Sequence, residues 1–427
     1  MCKIRLLYRL LCILSVILIA CNNHNSVKRN KGEKPFSKKA FQILGDTNYQ
    51  AICYGGYRKN TRDSQPTLSQ ITEDMRILNA MGIKLLRTYN THYNEIETLL
   101  QAITHLRSEN SNFEMYVMLG VWIECENAWT EKEPSHDKEN EKANAAEIKK
   151  AVELVNQYPE IIKMIAVGNE AMVKWATNYY VQPNVIYKWV NYLQLLKKKN
   201  QLDRDLWITS SDNFASWGGG DTSYHVDDLK KLYQAVDFVS IHTYPMHDTY
   251  YNPSFWGTLP IENQLSNETQ IDSIMNRTLD YAKMQYLGVY NYMKSIGVNK
   301  PIHIGETGWS TNSNDLYGSK GTSACDEYKS ARYYQLIREW TNKEKMTCFY
   351  FEAFDENWKD ANNIGGSENH FGLFKINGNA KYALWNKVDK GVFKGLTRDG
   401  NIIEKTYKGN KKKLMKTVEL PFKLKQK

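Results

Sequence analysis

The chain has 427 residues, 42% of them hydrophobic and 12% aromatic, enough to fill the core of a sizeable globular enzyme. Its formal charge of +9 sits at the two ends: residues 1–40 carry nine Lys/Arg against one acid, and residues 376–427 carry fourteen against four. What is left, 41–375, stands at about −9, an acidic body that argues against nucleic acid as a partner.

In chain order, Lys3, Arg5 and Arg9 precede an apolar run from Leu10 to Ala20. The run is too short for an ordinary membrane span and has the pattern of a secretory signal. It ends in Leu18-Ile19-Ala20-Cys21, which resembles a bacterial lipobox. That resemblance implies that residues 1–20 are a removed signal peptide and that Cys21 carries the lipid. Residues 21–44 would then be a charged tether, and the protein would be lipid-anchored in a bacterial cell envelope, on a membrane face left open. Beyond the anchor lie Cys53, Cys125, Cys325 and Cys348, in no Cys/His cluster, so no metal site is expected. Disulfides and buried thiols are both compatible with that spacing.

From about residue 49 short apolar runs alternate with longer helical patterns. The strands are predicted at 50–54, 84–88, 114–121, 163–167, 207–211, 238–243, 301–305 and 347–353, and helices at stretches such as 68–81, 96–107, 145–157, 185–198, 271–296 and 326–341. Eight βα units predict a (β/α)8 (TIM) barrel over residues 45–375. Residues 376–427 read as a small, basic C-terminal β appendage. The charged stretch 124–142, after the third strand, either borders a cleft or is simply solvated. The insertion 244–270, with Trp256, is expected to reshape one wall of the cleft.

In a barrel, chemistry belongs at the C-terminal strand ends. Polar residues gather there: Arg87-Thr88-Tyr89-Asn90, Trp122 and Glu124, Gly168-Asn169-Glu170, His242-Thr243-Tyr244, Glu306-Thr307-Gly308-Trp309 and Glu352 with Asp355-Glu356. Glycosidic cleavage needs two carboxyl groups, one to protonate the leaving oxygen and one to attack or to activate water. Glu170 and Glu306, after strands four and seven, are the pair that barrel closure brings to one cavity, although either alone could merely cap a helix. His242 reads as a hydrogen-bonded supporting residue, and Arg87 as a fork that braces a carboxylate.

The motifs Val167-Gly168-Asn169-Glu170 and Ile304-Gly305-Glu306-Thr307-Gly308-Trp309-Ser310 resemble glycoside hydrolase family 17. So do Phe351-Glu352-Ala353-Phe354-Asp355-Glu356-Asn357-Trp358-Lys359 and Glu368-Asn369-His370-Phe371-Gly372-Leu373-Phe374, and the likeness runs from about Tyr49 to Phe374. The resemblance implies a retaining hydrolase of β-1,3-glucan of the laminarin type, without a cofactor and as a monomer. Within it, Glu170 would be the acid/base, Glu306 the nucleophile, and Asn169 the partner of the sugar 2-hydroxyl. Tyr244 would orient Glu306, while Glu356, Lys359 and Glu368 form a charged cluster beside it, with Lys359 keeping the nucleophile ionised. Trp309 and Trp358 would wall the cleft, and Tyr89 would contact substrate. Two other functions fit the same residues: a β-1,3-glucan transglycosylase, and a lipid-anchored glycan-binding protein without turnover.

Overall fold

The computed structural model describes residues 38–424. The expected signal peptide, Cys21 and most of the expected tether lie outside the described residues. Eight parallel strands close into a barrel: β1 (Gln50–Cys53), β2 (Ile83–Arg87), β3 (Tyr116–Val121), β4 (Ile162–Asn169), β5 (Trp207–Asn213), β6 (Val239–His242), β7 (Ile302–Gly308) and β8 (Cys348–Phe351). Each pairs with its sequence neighbour, and β8 pairs with β1 through Ala51 opposite Phe349 and Ile52 opposite Tyr350. The strands are buried along nearly their whole length, as strands covered on both faces must be. The crossovers are α1 (Leu68–Ala80), α2 (Glu95–Glu109), α3 (Glu141–Gln157), α4 (Pro183–Lys198), α5 (Asp227–Ala235), α6 (Asn267–Ser295) and α7 (Glu327–Lys343).

Local chemistry sets these boundaries. Thr67 caps α1 by accepting from the Gln70 amide at 3.3 Å, and Asp326 caps α7 by accepting from the Lys329 amide at 2.8 Å. Pro183 starts α4, where its missing N–H has no partner to lose. The apolar face Ile96, Leu99, Leu100, Ile103 and Leu106 of α2 is buried as its helical spacing predicts.

Two expectations change. Residues 40–43 form a helical turn with Ala40, Ile43 and Leu44 buried, so the folded body begins ahead of residue 45 and overlaps the end of the expected tether. Close apolar spacing there makes burial more favourable than solvation. Among the described residues, the C-terminal segment has only the two-residue strands Thr397–Arg398 and Asn401–Ile402, and is otherwise short helices and turns. It is also fastened to the barrel. Arg398, fully buried, pairs with the equally buried Asp74 of α1 at 2.9 Å, which in turn binds Arg58 at 2.7 Å. Part of the basic charge of that segment is therefore internal. The stretch after β3 forms a hairpin, Cys125–Glu126 against Ser135–Glu139. Cys53, Cys125, Cys325 and Cys348 are free thiols.

Candidate active site

The site is assembled where β2, β4, β5, β6, β7 and β8 end. At the end of β4, Gly168 takes φ +83°, and a Cβ there would come within 2.9 Å of Ala171. Only glycine turns the chain here without displacing the next loop. Glu170 follows at φ +46°, a left-handed conformation unusual for a side-chain-bearing residue. Its amide donates to the Ser211 carbonyl at 3.1 Å, which ties the turn to β5. The loop beyond is held by Asp212, whose carboxylate accepts from the Met172 amide at 2.7 Å and the Ser216 hydroxyl at 2.6 Å. Burial pushes the Asp212 carboxyl up to about 6 in spite of these bonds.

The Glu170 carboxylate faces His242 of β6, whose Nδ1 lies 3.1 Å from Oε1. The other ring nitrogen of His242 lies 2.8 Å from Ser211 Oγ, itself 2.9 Å from Ser240 Oγ. This buried relay explains Gly305 in the Gly-Glu motif. A Cβ at 305 would sit 2.0 Å from Ser240 Oγ and 2.4 Å from Ser211 Oγ, so the hydroxyls that orient His242 occupy the space a side chain would need.

Glu306 of β7 is nearly enclosed, and three donors fix its carboxylate. Arg87 Nη1 and the Tyr89 hydroxyl, at 3.0 Å, donate to Oε2, and the Tyr244 hydroxyl donates to Oε1 at 2.6 Å. Burial raises the pKa of this carboxyl, but Arg87, His242 and the Tyr244 bond outweigh it and hold the group at about 2. Glu306 is therefore an ionised, oriented carboxylate at any ordinary pH. The same Arg87 fork reaches Asn169 Oδ1 through Nη2. With its oxygen engaged, Asn169 keeps its amide nitrogen as a donor.

Beside Glu306 lies the charged cluster. Lys359 Nζ binds Glu352 at 2.7 Å and Glu356 at 3.4 Å, and Glu356 also accepts from the Trp358 indole and the Tyr57 amide at 3.0 and 3.2 Å. Burial holds the Glu352 carboxyl well above the usual range, against the opposing pull of Lys359. The cation in contact with Glu306 is thus Arg87, not Lys359 as predicted. The fork of Arg87 reaches both strand ends from inside the barrel, whereas Lys359 is taken up by the two carboxylates of its own loop.

Two cavities of about 720 and 680 Å³ meet at Glu306, Phe351 and Glu368, which line both. Glu170, Trp175, His247, Tyr244 and Tyr251 face the first. Asn169, Tyr89, Glu356, Trp358 and Lys359 face the second, together with Tyr57 and Trp122. Every predicted site residue within the described chain therefore borders the cleft except one. Trp309 is fully buried, donating to the Ala324 carbonyl at 2.9 Å and packed on Tyr333 and Trp256. It follows Gly308, the last residue of β7, and turns into the layer between barrel and helices. The 244–270 insertion shapes the first cavity through His247, Asp248, Tyr251 and Asn252 of the helix Pro245–Tyr251 and its end, while Trp256 is buried. His247, whose Nε2 lies 3.6 Å from Glu368, carried no sequence signal because its partner is 121 positions away.

A closed parallel barrel that sets one carboxylate just beyond its fourth strand and another within its seventh, over one aromatic-lined cleft, defines a barrel of the glycosidase class. The chain belongs to the BtgE/BtgC glycoside hydrolase domain family, whose model matches residues 51–372. It is similar to the crystal structure of an endo-laminarinase from Formosa Hel1_33_131, with 60% identity and a TM-score of 0.91 over 91% of this chain and 99% of that one. A putative glucan endo-1,3-beta-glucosidase btgC of Aspergillus niger is 25% identical over 71% of this chain, and the Emericella nidulans glucan endo-1,3-beta-glucosidase btgC is 23% identical over 74%. The chain spans 37% and 42% of the lengths of these two fungal relatives. The fold is also shared with a Rhizomucor miehei beta-1,3-glucanosyltransferase at 17% identity, TM-score 0.54, over 79% of this chain and 97% of that one.

Proposed function

We propose that the protein cleaves internal linkages of a laminarin-type β-1,3-glucan by a retaining double displacement, as a member of glycoside hydrolase family 17. The observation that carries this reading is Glu306, ionised and immobilised by three donors where two cavities join, with Glu170 on one of them. A cleft that continues on both sides of the nucleophile accepts a chain rather than a chain end, and the 60% identity to an endo-laminarinase supports the same substrate class.

Glu170 protonates the glycosidic oxygen while Glu306 attacks the anomeric carbon, and Glu170 then takes a proton from the water that releases the sugar. Glu170 faces the first cavity and not the second, so the departing sugar lies in the first and the sugar that is attacked lies on the Asn169 side. There the Asn169 amide donates to the 2-hydroxyl, and Arg87 couples that donor to the nucleophile. Tyr89 and Tyr244 hold Glu306 in line, so no side-chain freedom is lost at the moment of attack.

Transfer to a second sugar is supported by one feature. Trp175 and Tyr251, 58% and 64% exposed, flank the departing-sugar cavity, where an incoming glucan would stack. Proton NMR of fresh digests of reduced laminari-oligosaccharides should show the β-anomer first. An α-anomer would sink the retaining mechanism, and products longer than the starting oligomer would establish transfer.

The lipobox resemblance supports a catalytic body tethered to the cell envelope by lipid on Cys21. Cys21→Ser is expected to shift the protein from the membrane fraction to the soluble fraction. A variant still held in the membrane fraction would refute the anchor.

A further inference from the structure

The hairpin after β3 places an aromatic surface beside the second cavity that the catalytic chemistry does not use. Trp129, in the turn between Cys125–Glu126 and Ser135–Glu139, is 60% exposed and lies at φ +59°. Its ring stacks on Tyr179 at 5.4 Å and 22°, and Tyr179 packs on Trp122 at 4.9 Å. All three border the cavity that also holds Asn169 and Glu306. The row runs back to the reacting centre, since the Tyr179 hydroxyl reaches the Asn169 carbonyl at 3.5 Å.

An exposed indole on a loose loop would say little. This one is held. The Cys125 amide donates to the Tyr179 carbonyl at 3.0 Å, and His136 stacks on Tyr180 with ring centres 3.6 Å apart. Glu139 is gripped by Lys188, by the Trp189 indole at 2.7 Å and by the Asn144 amide at 3.1 Å. Within the turn, the Asn127 side chain donates to the Glu133 carbonyl at 3.1 Å. The Trp122 indole is fixed by Glu124 at 3.0 Å, and Asn140 holds the other oxygen of that carboxylate at 2.8 Å. A rigid, water-facing row of rings, continuous with a catalytic cleft, suits the flat apolar face of a pyranose. Because the rings are already ordered, stacking costs them little further freedom.

We infer that Trp129, stacked on Tyr179, is a sugar-binding platform for a glucose unit of the β-glucan chain remote from the cleavage point, on the side of the attacked sugar. This rests on the proposed function for the identity of the chain, and it adds a residue that sets the preferred substrate length. Short oligosaccharides occupy the centre of the cleft alone, whereas longer ones reach the hairpin and gain the stacking contact.

The test compares Trp129→Ala and Trp129→Phe with the parent across laminaritriose to laminariheptaose. The expected loss in kcat/KM for Trp129→Ala grows with chain length, reaches about three- to tenfold for the longest oligomer, and falls mainly on KM, with Trp129→Phe restoring most of it. An equal loss at every length, or none at the longest, overturns the platform. Titration calorimetry of laminariheptaose on Glu306→Gln, with and without Trp129→Ala, separates binding from turnover. Weaker binding by the double variant supports the platform even if the parent fails to hydrolyse laminarin, and unchanged binding overturns it.

Discussion

Glu306→Gln is expected to lower laminarin turnover by about 10⁴-fold or more while leaving the fold and the binding of oligosaccharides intact. The amide is nearly isosteric and can still pair with Tyr89 and Tyr244, but it carries no negative charge with which to attack the anomeric carbon. The small truncation Glu306→Ala leaves room for an added anion. With azide and an activated aryl β-glucoside or laminaribioside, that variant should form the α-glycosyl azide, because azide attacks from the face the carboxylate used. A Glu306→Gln protein with near-parental turnover would overturn the assignment of the nucleophile. So would a glycosyl azide of β configuration.

Arg87→Met should produce the second largest change, in both rate and stability. It removes the guanidinium that holds Glu306 and Asn169 together. Loss of a preorganised donor of this kind costs on the order of 10²–10³ in kcat. It also leaves a buried carboxylate without its cation, which costs about 3–5 kcal/mol. The pH dependence follows from the sign of the Glu306 shift. The group ionises at about 2 in the folded protein against an ordinary value of 4.5. It therefore contributes stability that is present above about 4.5 and is lost as pH falls towards 2. Without Arg87, burial is opposed only by weaker partners and the carboxyl moves up, so that contribution shrinks. The acid limb of the kcat/KM profile should move to higher pH for Arg87→Met, and Arg87→Lys should recover part of the shift. An acid limb that stays in place in Arg87→Met would show that Arg87 does not set the charge of Glu306. The double variant Arg87→Met, Glu306→Gln should lose less stability than the two single losses combined, because the uncompensated charge is gone.

Much of the architecture was legible in the residues. Each of the eight predicted strands overlaps an observed one, because strands covered on both faces need unbroken apolar runs, and those runs are visible at short range. The strand-end rule led to Glu170 and Glu306 for the same reason, since barrel polarity follows from strand order alone. Arg87 could be read as a brace from its place at the end of β2, but its partner could not: Glu306 lies 219 positions later. Lys359 shows the opposite case. The family resemblance set it beside the nucleophile, yet Glu352 and Glu356 on the same loop hold it first.

Trp309 and Trp129 mark the boundary between these two kinds of information. Trp309 stands within the most specific motif of the chain and yet is buried, because the direction of a side chain just past a strand depends on the twist and packing of the barrel around it. Trp129 lies in a charged stretch with no motif and yet faces the cleft, because a hairpin, Tyr179 and Trp189 of α4 converge there only in three dimensions. The sequence by itself determined the barrel, the order of its strands and the two carboxylates at their ends, all of which follow from local patterning and chain order. The tertiary structure decided which cation ionises Glu306, which rings line the cleft and how the C-terminal segment is fastened. Each of those depends on distances between groups far apart in the chain, and such distances exist only once the barrel has closed.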